Sequence, residues 1–204
     1  TDFSLRKKLM KNASEILRQK KESLANLMTL EMGKPILQSR AEIEKCAWVC
    51  DYYADNAESF LSDEIIPTDA QKSFITYQPL GIILAIMPWN FPYWQVFRFA
   101  APAIMAGNSV LLKHAPNVFG CADEIQKIFL EAGFPELLFK SLIIHVDEVE
   151  KIIQNPLVKA VTFTGSTTAG KIIASQSGSA LKKTVLELGG SDPYIILDDA
   201  DIES

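Results

Sequence analysis

The first part of the chain alternates apolar and polar residues at the spacing of amphipathic helices. Over residues 4–30, apolar side chains recur every three or four positions with lysine, arginine or glutamate between them, which predicts helices with one buried face. Gly33 and Pro35 end this stretch. The same periodicity over residues 39–60 predicts a further long helix. Neither helical region carries a motif that indicates chemistry.

The pattern changes after this helix. Residues 65–68 and 73–77 form short extended segments before Pro79 and Gly81, and they predict a pair of strands.

From Ile82 onward, apolar runs alternate with amphipathic stretches. The apolar runs predict strands at residues 82–87, 109–113, 142–145 and 160–163, and near Val185 and Ile195. The amphipathic stretches predict helices at residues 93–105, 121–131, 148–153 and 168–175. Strands separated by helices of this length predict an α/β fold, with a parallel sheet covered by helices on both faces.

Composition narrows the class of protein. With 204 residues, of which 48% are hydrophobic and 22% charged, the chain can bury a full core. A net charge of −5 and scattered lysines argue against a nucleic-acid partner. No apolar run approaches the roughly 20 residues of a membrane span, and no signal-peptide core is evident, so we expect no membrane association and a cytoplasmic location.

The cysteines indicate reduced thiols. The sequence has three, Cys46, Cys50 and Cys121, a sparse and odd set that does not suit a disulfide framework. Cys46 and Cys50 lie one helical turn apart, which would suit a metal pair, but no third or fourth ligand is nearby in the sequence. We therefore predict ordinary packing and no metal site.

Ligands of open parallel α/β sheets bind beyond the carboxyl ends of the strands, and the residues that follow the predicted strands are unusual. Four segments stand at these positions: Pro-Trp-Asn-Phe-Pro at 88–92, Lys-His-Ala-Pro-Asn at 113–117, Gly-Ser-Thr-Thr-Ala-Gly at 165–170 and Glu-Leu-Gly-Gly at 187–190.

Two of these segments contain candidate catalytic groups. Asn90 is held between prolines and aromatic residues, so its amide could donate to a fixed point, as an oxyanion hole requires; a turn asparagine is the alternative. Glu187 follows apolar residues and precedes two glycines, where a carboxylate could act as a base; an exposed glutamate at a strand end is the alternative.

The other two segments suggest a phosphate or ribose site. Lys113 ends an apolar strand and places a positive donor at the sheet edge, with a solvated lysine as the alternative. The segment 165–170 follows a strand and opens a helix, so its N–H groups could face a pyrophosphate, although it is not the G-x-G-x-x-G fingerprint and a plain helix start is the alternative. His114 and His145 have no serine or cysteine partner in the sequence pattern and are interpreted as structural or surface residues.

Taken in order, Pro-Trp-Asn-Phe-Pro, Leu-Lys, Phe-Thr-Gly-Ser and Leu-Glu-Leu-Gly-Gly resemble the motifs of the aldehyde dehydrogenase superfamily. The resemblance runs through essentially the whole chain and includes Glu-Met-Gly-Lys-Pro at 31–35. Residues 112–117 and 188–193 resemble the bacterial NAD(P)-dependent succinate-semialdehyde dehydrogenases in particular.

The resemblance implies a Rossmann-like fold and an oxidoreductase. In this family a cysteine thiolate attacks the aldehyde, hydride passes to the nicotinamide, and water hydrolyses the thioester. Asn90 would stabilise the oxyanion and Glu187 would be the general base. Trp94 and Arg98 are the candidate contacts for a small aldehyde substrate, and Arg98 could pair with a substrate carboxylate, although a surface arginine is the alternative.

The cofactor implied by the resemblance is NAD or NADP. Lys113 would hold the adenosine ribose. The other expected cofactor-binding residues are Met87, Pro88 and Trp89 along the dinucleotide cleft and Gly165 and Ser166 at the pyrophosphate. The family often has a glutamate three residues after the ribose lysine, which disfavours a 2′-phosphate by repulsion; this sequence has Pro116 there, so both cofactors remain open.

The resemblance also divides the chain. Residues 1–189 would form the NAD(P)-binding domain, and residues 190–204 the start of a catalytic domain. Residues 65–77 would belong to an oligomerisation arm, so the parent enzyme is expected to be a homo-oligomer, with the state of this chain open.

The family's nucleophilic cysteine follows the Glu-Leu-Gly-Gly motif, and no cysteine follows Cys121 here. We therefore expect this chain alone to be inactive. The alternatives are a non-catalytic nucleotide-binding module, a structural α/β domain, or an acyl-phosphate reductase relative that shares the scaffold.

Overall fold

Three helices form the first part of the fold: α1 (Phe3–Gln19), α2 (Lys21–Met32) and α3 (Ile36–Phe60). They are seen in a computed structural model that describes residues 2–201. Asp2 caps α1 by accepting a hydrogen bond from the Leu5 N–H. Gly33 ends α2 in the left-handed conformation, at a φ of 74°, which favours glycine. The predicted helical regions are confirmed, although α3 begins three residues earlier than predicted.

A short hairpin follows the helices. Strands β1 (Glu64–Ile65) and β2 (Phe74–Ile75) pair antiparallel and are exposed. The predicted strand pair over this region is confirmed.

The remaining strands form one parallel sheet in the order β5-β4-β3-β6-β7. They are β3 (Ile82–Met87), β4 (Ser109–His114), β5 (Phe139–Ser141), β6 (Val158–Thr164) and β7 (Lys183–Glu187). The helices between and after them are α4 (Trp94–Met105), α5 (Phe119–Glu131), α6 (Val149–Gln154) and α7 (Thr167–Ser179).

The sheet is covered on both faces, as predicted. Side chains alternate between the faces of a strand, so Ala85 of β3 packs with α1–α5 in the larger core, whereas its neighbour Leu84 packs with α6 and α7 in the smaller one. Of the helices that the structure describes, none has both the length and the apolar character needed to cross a membrane.

Two of the predicted strands are wrong: one lies at other residues, and the other is not formed. The strand expected at 142–145 lies at Phe139–Ser141 instead, because Phe139 is the residue that pairs with Val110 of β4; Ile143 is 75% exposed. Around Ile195 there is no strand, and the apolar side chains of residues 194–197 are exposed. An apolar run becomes a strand only where a neighbouring strand accepts and donates its hydrogen bonds.

Phe129 of α5 is the residue whose loss should damage the larger core most clearly. Its ring stacks on Phe97 at 5.3 Å and on Phe139 at 4.8 Å between centroids, so it joins two helices to the edge strand. We expect Phe129→Ala to lower the free energy of unfolding by about 3–5 kcal/mol, measured by urea denaturation.

Leu130 is the matched control, since it is the next residue on α5 but is 51% exposed. Leu130→Ala should change the free energy of unfolding by about 0.5 kcal/mol or less. Equal losses in the two variants would contradict this description of the core.

Candidate functional site

The carboxyl ends of four adjacent strands meet at one edge of the sheet. Register pairs Ile86 of β3 with Lys113 of β4, and the same residue with Phe163 of β6. On the other side of β6, Thr164 pairs with Glu187 of β7. The four motifs that follow these strands are therefore neighbours in space, although up to about a hundred residues separate them in sequence.

A cavity of about 310 Å³ lies at this edge, on the side covered by α6 and α7. Four of the six predicted cofactor-binding residues line it: Met87, Pro88, Lys113 and Gly165. Its helix wall is formed by Ala169, Ile172, Ile173 and Gln176 of α7. A mostly apolar cavity with few polar groups is typical of a small-molecule site.

The other two predicted cofactor-binding residues are not in the lining of this cavity. Trp89 is exposed in the loop after β3. The Ser166 hydroxyl accepts a hydrogen bond from the Ala169 N–H at 3.2 Å and so caps α7, which is the helix-start role that was the alternative for this segment.

Lys113 is buried, with 7% of its surface exposed, so it is not the solvated lysine of the alternative reading. Burial lowers the pKa of its ammonium group. Within residues 2–201, no carboxylate lies close enough to form an ion pair with it. Lys113 lines the cavity, and its Nζ is not one of the fully buried polar atoms that lack a partner, so the ammonium group reaches the cavity.

Gly165 allows the backbone to come close to the end of the sheet. A Cβ atom at this position would lie 2.6 Å from Cζ of Phe163, so any larger residue must displace that ring. The Gly165 N–H donates to the Glu187 carbonyl at 3.0 Å, which fixes the start of the glycine segment against the end of β7.

Glu187 and Arg98, which the sequence assigned to different roles, form an ion pair. Arg98 Nη1 lies 3.3 Å from Glu187 Oε2, and its Nη2 donates to Thr164 Oγ1 at 3.4 Å. Both side chains line a second cavity of about 300 Å³, which shares Met87 and Thr164 with the first. The predicted base and the predicted substrate arginine are therefore brought together in this second cavity.

Asn90 and Trp94 lie near this region but line neither cavity. Asn90 is exposed in the loop between β3 and α4. Trp94 is the first residue of α4 and is partly buried, with Lys45 Nζ 3.9 Å from its ring centroid, so the structure gives it a packing partner rather than an evident substrate contact.

Two polar contacts that hold the segment after Asn90 were not predicted from the sequence. Glu42 Oε1 accepts hydrogen bonds from the Tyr93 and Trp94 N–H groups, each at 2.9 Å. His114 Nε2 and the Pro92 carbonyl are 2.9 Å apart. The available signal for Glu42 was a carboxylate on the apolar face of α3, beside Ile43. For His114, the structural interpretation holds, since the ring is fully buried.

The three cysteines are buried. Cys46 and Cys50 pack into the core from α3 and Cys121 from α5. Burial raises the pKa of each thiol, which disfavours the reactive thiolate. Within the described residues, no group of three or more histidine, cysteine, aspartate or glutamate side chains could hold a metal ion.

Comparisons with known proteins agree with this arrangement. A family model described as "Aldehyde dehydrogenase family" matches residues 1–204. A probable succinate-semialdehyde dehydrogenase [NADP(+)] from Synechocystis is 56% identical over 201 residues, and a succinate semialdehyde dehydrogenase [NAD(P)+] from Escherichia coli is 50% identical over 203. They cover 98% and 100% of this chain, which spans 44% of each relative.

A solved structure of a similar enzyme also matches this chain. Succinic semialdehyde dehydrogenase from Streptococcus pyogenes, in complex with NADP+ as the cofactor, superposes with a TM-score of 0.93 and 41% identity. The match covers 98% of this chain and 44% of that one.

His114 makes a prediction about pH. Burial lowers its pKa in the folded chain, so below the unfolded value of about 6.5 the unfolded chain binds a proton that the folded chain does not. The free energy of unfolding should therefore fall as pH drops from 7.5 to 5.5, with a contribution from His114 of up to about 1.4 kcal/mol per pH unit. Urea denaturation at several pH values measures it.

The matched variants are His114→Gln and His145→Gln, because His145 is exposed. The slope should flatten in the first variant and persist in the second. A slope that is unchanged in His114→Gln would rule out this histidine as its origin.

Proposed function

This chain belongs to the aldehyde dehydrogenase family, and we propose that its residues 1–189 bind NAD or NADP for an enzyme that oxidises succinate semialdehyde or a similar short aldehyde. The observation that carries the proposal is Lys113, a lysine that is 7% exposed, forms no ion pair within residues 2–201 and lines the cavity at the sheet edge. Residues 190–204 would begin the catalytic domain. Because the chain spans 44% of these relatives, the activity is proposed for the whole protein.

The cavity suits the adenosine half of a nicotinamide nucleotide. Lys113 can donate to ribose hydroxyls or to a phosphate, and the apolar wall that includes Ile172 of α7 offers a surface for a flat adenine ring. Gly165 permits close approach to the pyrophosphate, and the first N–H groups of α7 favour an anion there. The same relatives carry NADP(+) or NAD(P)+ in their names.

We propose that NADP is accepted along with NAD. Pro116 lines the cavity three residues after Lys113, and none of the residues that line it carries a carboxylate. A 2′-phosphate would therefore meet the positive charge of Lys113 without repulsion.

The catalytic proposal places three residues around an aldehyde. Asn90 would donate its amide to the oxyanion, Glu187 would act as general base, and Arg98 would bind the carboxylate of a semialdehyde acid. The bound nicotinamide supplies the hydride acceptor. Since Arg98 pairs with Glu187 in this structure, a substrate carboxylate that takes over Arg98 would free Glu187 to accept a proton.

The nucleophilic thiol would come from outside residues 1–204, because the three cysteines here are buried and have raised pKa values. This chain alone would then bind nucleotide without oxidising aldehyde. A non-catalytic nucleotide-binding module is the second candidate, and the buried thiols favour it; aldehyde-dependent reduction of NAD(P) by the full-length protein would eliminate it.

The assembly of the parent enzyme is a further proposal. The hairpin of β1 and β2 exposes Ile65, Phe74 and Ile75, which supports its assignment to an oligomerisation arm at residues 65–77. A homo-oligomeric parent enzyme follows from this assignment.

Nucleotide binding should depend on Lys113. We expect Lys113→Met to weaken NAD(P) binding by about tenfold to a hundredfold, because a charged hydrogen bond contributes about 1.5–3 kcal/mol. Isothermal titration calorimetry of the purified chain with NAD and with NADP measures both Kd values.

Lys8→Met is the control, since Lys8 is exposed on α1 and should leave both Kd values unchanged. If a folded chain gives no heat with either nucleotide, or if Lys113→Met binds as tightly as the parent, the assignment of the cavity is wrong.

The cysteines should resist modification in the folded chain. We expect a thiol reagent to label none of the three without denaturant and all three in urea, because burial protects them. Mass spectrometry locates the label. Rapid labelling of any one cysteine in the native chain would make that thiol a candidate nucleophile and would overturn the proposal that it comes from elsewhere.

A further inference from the structure

Asn90 lies in a loop that has no regular structure of its own. We call residues 88–92 the Asn90 loop; it leaves the sheet after β3 and enters α4. A donor that stabilises a transition state must be held within about 0.5 Å of its working position. An exposed loop residue cannot supply that rigidity by itself, so other parts of the chain must hold the loop.

Glu42 of α3 holds the end of the loop. Its Oε1 accepts hydrogen bonds from the Tyr93 and Trp94 N–H groups at 2.9 Å. These are among the first N–H groups of α4, which have no partner within the helix, and a carboxylate is favoured at a helix N-terminus. Glu42 therefore determines where α4 begins and where the Asn90 loop ends.

Lys34 connects the same carboxylate to the loop. Its Nζ donates to Glu42 Oε2, and both side chains are buried, with Lys34 6% exposed. The same Nζ lies 3.6 Å from the ring centroid of Phe91, the neighbour of Asn90, in a cation–π contact. Lys34 thus neutralises Glu42 and also fixes the residue next to the candidate donor.

His114 holds the loop from the other side. Its Nδ1 accepts a hydrogen bond from the Ala115 N–H at 2.8 Å, so its Nε2 carries the proton and donates to the Pro92 carbonyl at 2.9 Å. Because His114 follows Lys113 directly, this contact ties the Asn90 loop to the strand that lines the nucleotide cavity.

A purely structural role is the plain alternative, since buried polar groups are normally satisfied in any core. The distribution of the contacts argues against it. Glu42, Lys34 and His114 come from α3, the turn before it and β4, and their contacts converge on residues 91–94. Glu42 alone would satisfy the N–H groups at the start of α4, whereas Lys34 also contacts Phe91, the neighbour of Asn90.

We propose that Lys34 and Glu42 are positioning residues for Asn90. Together, and with His114 on the opposite side, they hold the Asn90 loop so that its amide is aimed before substrate binds. This inference rests on the proposed function, because the orientation of Asn90 affects the reaction only if its amide stabilises the oxyanion.

The test compares two double variants that leave no buried charge unpaired. Lys34→Met with Glu42→Gln keeps an acceptor oxygen for the Tyr93 and Trp94 N–H groups, whereas Lys34→Met with Glu42→Leu removes it. Amide hydrogen exchange, followed by NMR on this chain, reports on these N–H groups directly. Steady-state kinetics of the full-length protein report kcat and KM for the aldehyde and for the nucleotide.

The proposal expects a local and selective effect. In the Leu variant, exchange at residues 93 and 94 should rise at least tenfold while exchange in β4 and β6 is unchanged. Its kcat should fall at least tenfold, with the KM for nucleotide within twofold of the parent. The Gln variant should retain slow exchange and most of kcat, which is rescue by the conservative substitution.

Two results would overturn the proposal: exchange that rises equally throughout the Leu variant, or local exchange that rises while kcat stays unchanged. Failure of the proposed function looks different. In that case the full-length parent would not oxidise aldehyde, or Asn90→Ala would leave its kcat unchanged, whereas the exchange rates would still show whether Lys34 and Glu42 hold the loop.

Discussion

Strand β3 is hydrogen-bonded on both sides, to β4 over Ile82–Met87 and to β6 over most of the same residues, and the site depends on this double pairing. Parallel pairing brings the carboxyl ends of neighbouring strands to one edge. The loops that follow β3, β4 and β6 must therefore emerge side by side. Leu84 and Ala85, in the middle of the strand, are fully buried on opposite faces, so the strand also joins the two cores.

Two lysines are buried to nearly the same degree, but their ammonium groups have different surroundings. Lys34 and Lys113 are 6% and 7% exposed. Lys34 has a buried carboxylate partner in Glu42, so its charge is satisfied within the fold and it can serve as a support. Lys113 has no such partner among residues 2–201 and lines a cavity. The two side chains therefore differ in what their ammonium groups face: a carboxylate for Lys34 and a cavity for Lys113.

The predictions were most accurate where the pattern was local. Strand β3 was predicted at 82–87 and is found at Ile82–Met87, because a continuous apolar run is bounded there by glycine and proline. Helix boundaries differ by up to four residues, since capping depends on neighbours such as Asp2 and Glu42. The strand expected near Ile195 is wrong because no described strand pairs with it.

Apart from the position of β5 and the strand expected near Ile195, local patterns in the sequence predicted the types and order of the elements and the motifs at the strand ends, because hydrophobic period and turn residues act over a few positions. What those motifs contact depends on the tertiary structure. Residues far apart in the chain form the Arg98–Glu187 ion pair and the contacts of Glu42 with α4. The burial of Lys113 likewise depends on elements distant in the sequence. The strand order β5-β4-β3-β6-β7 does not follow the sequence, so which side chains meet depends on how the whole sheet packs.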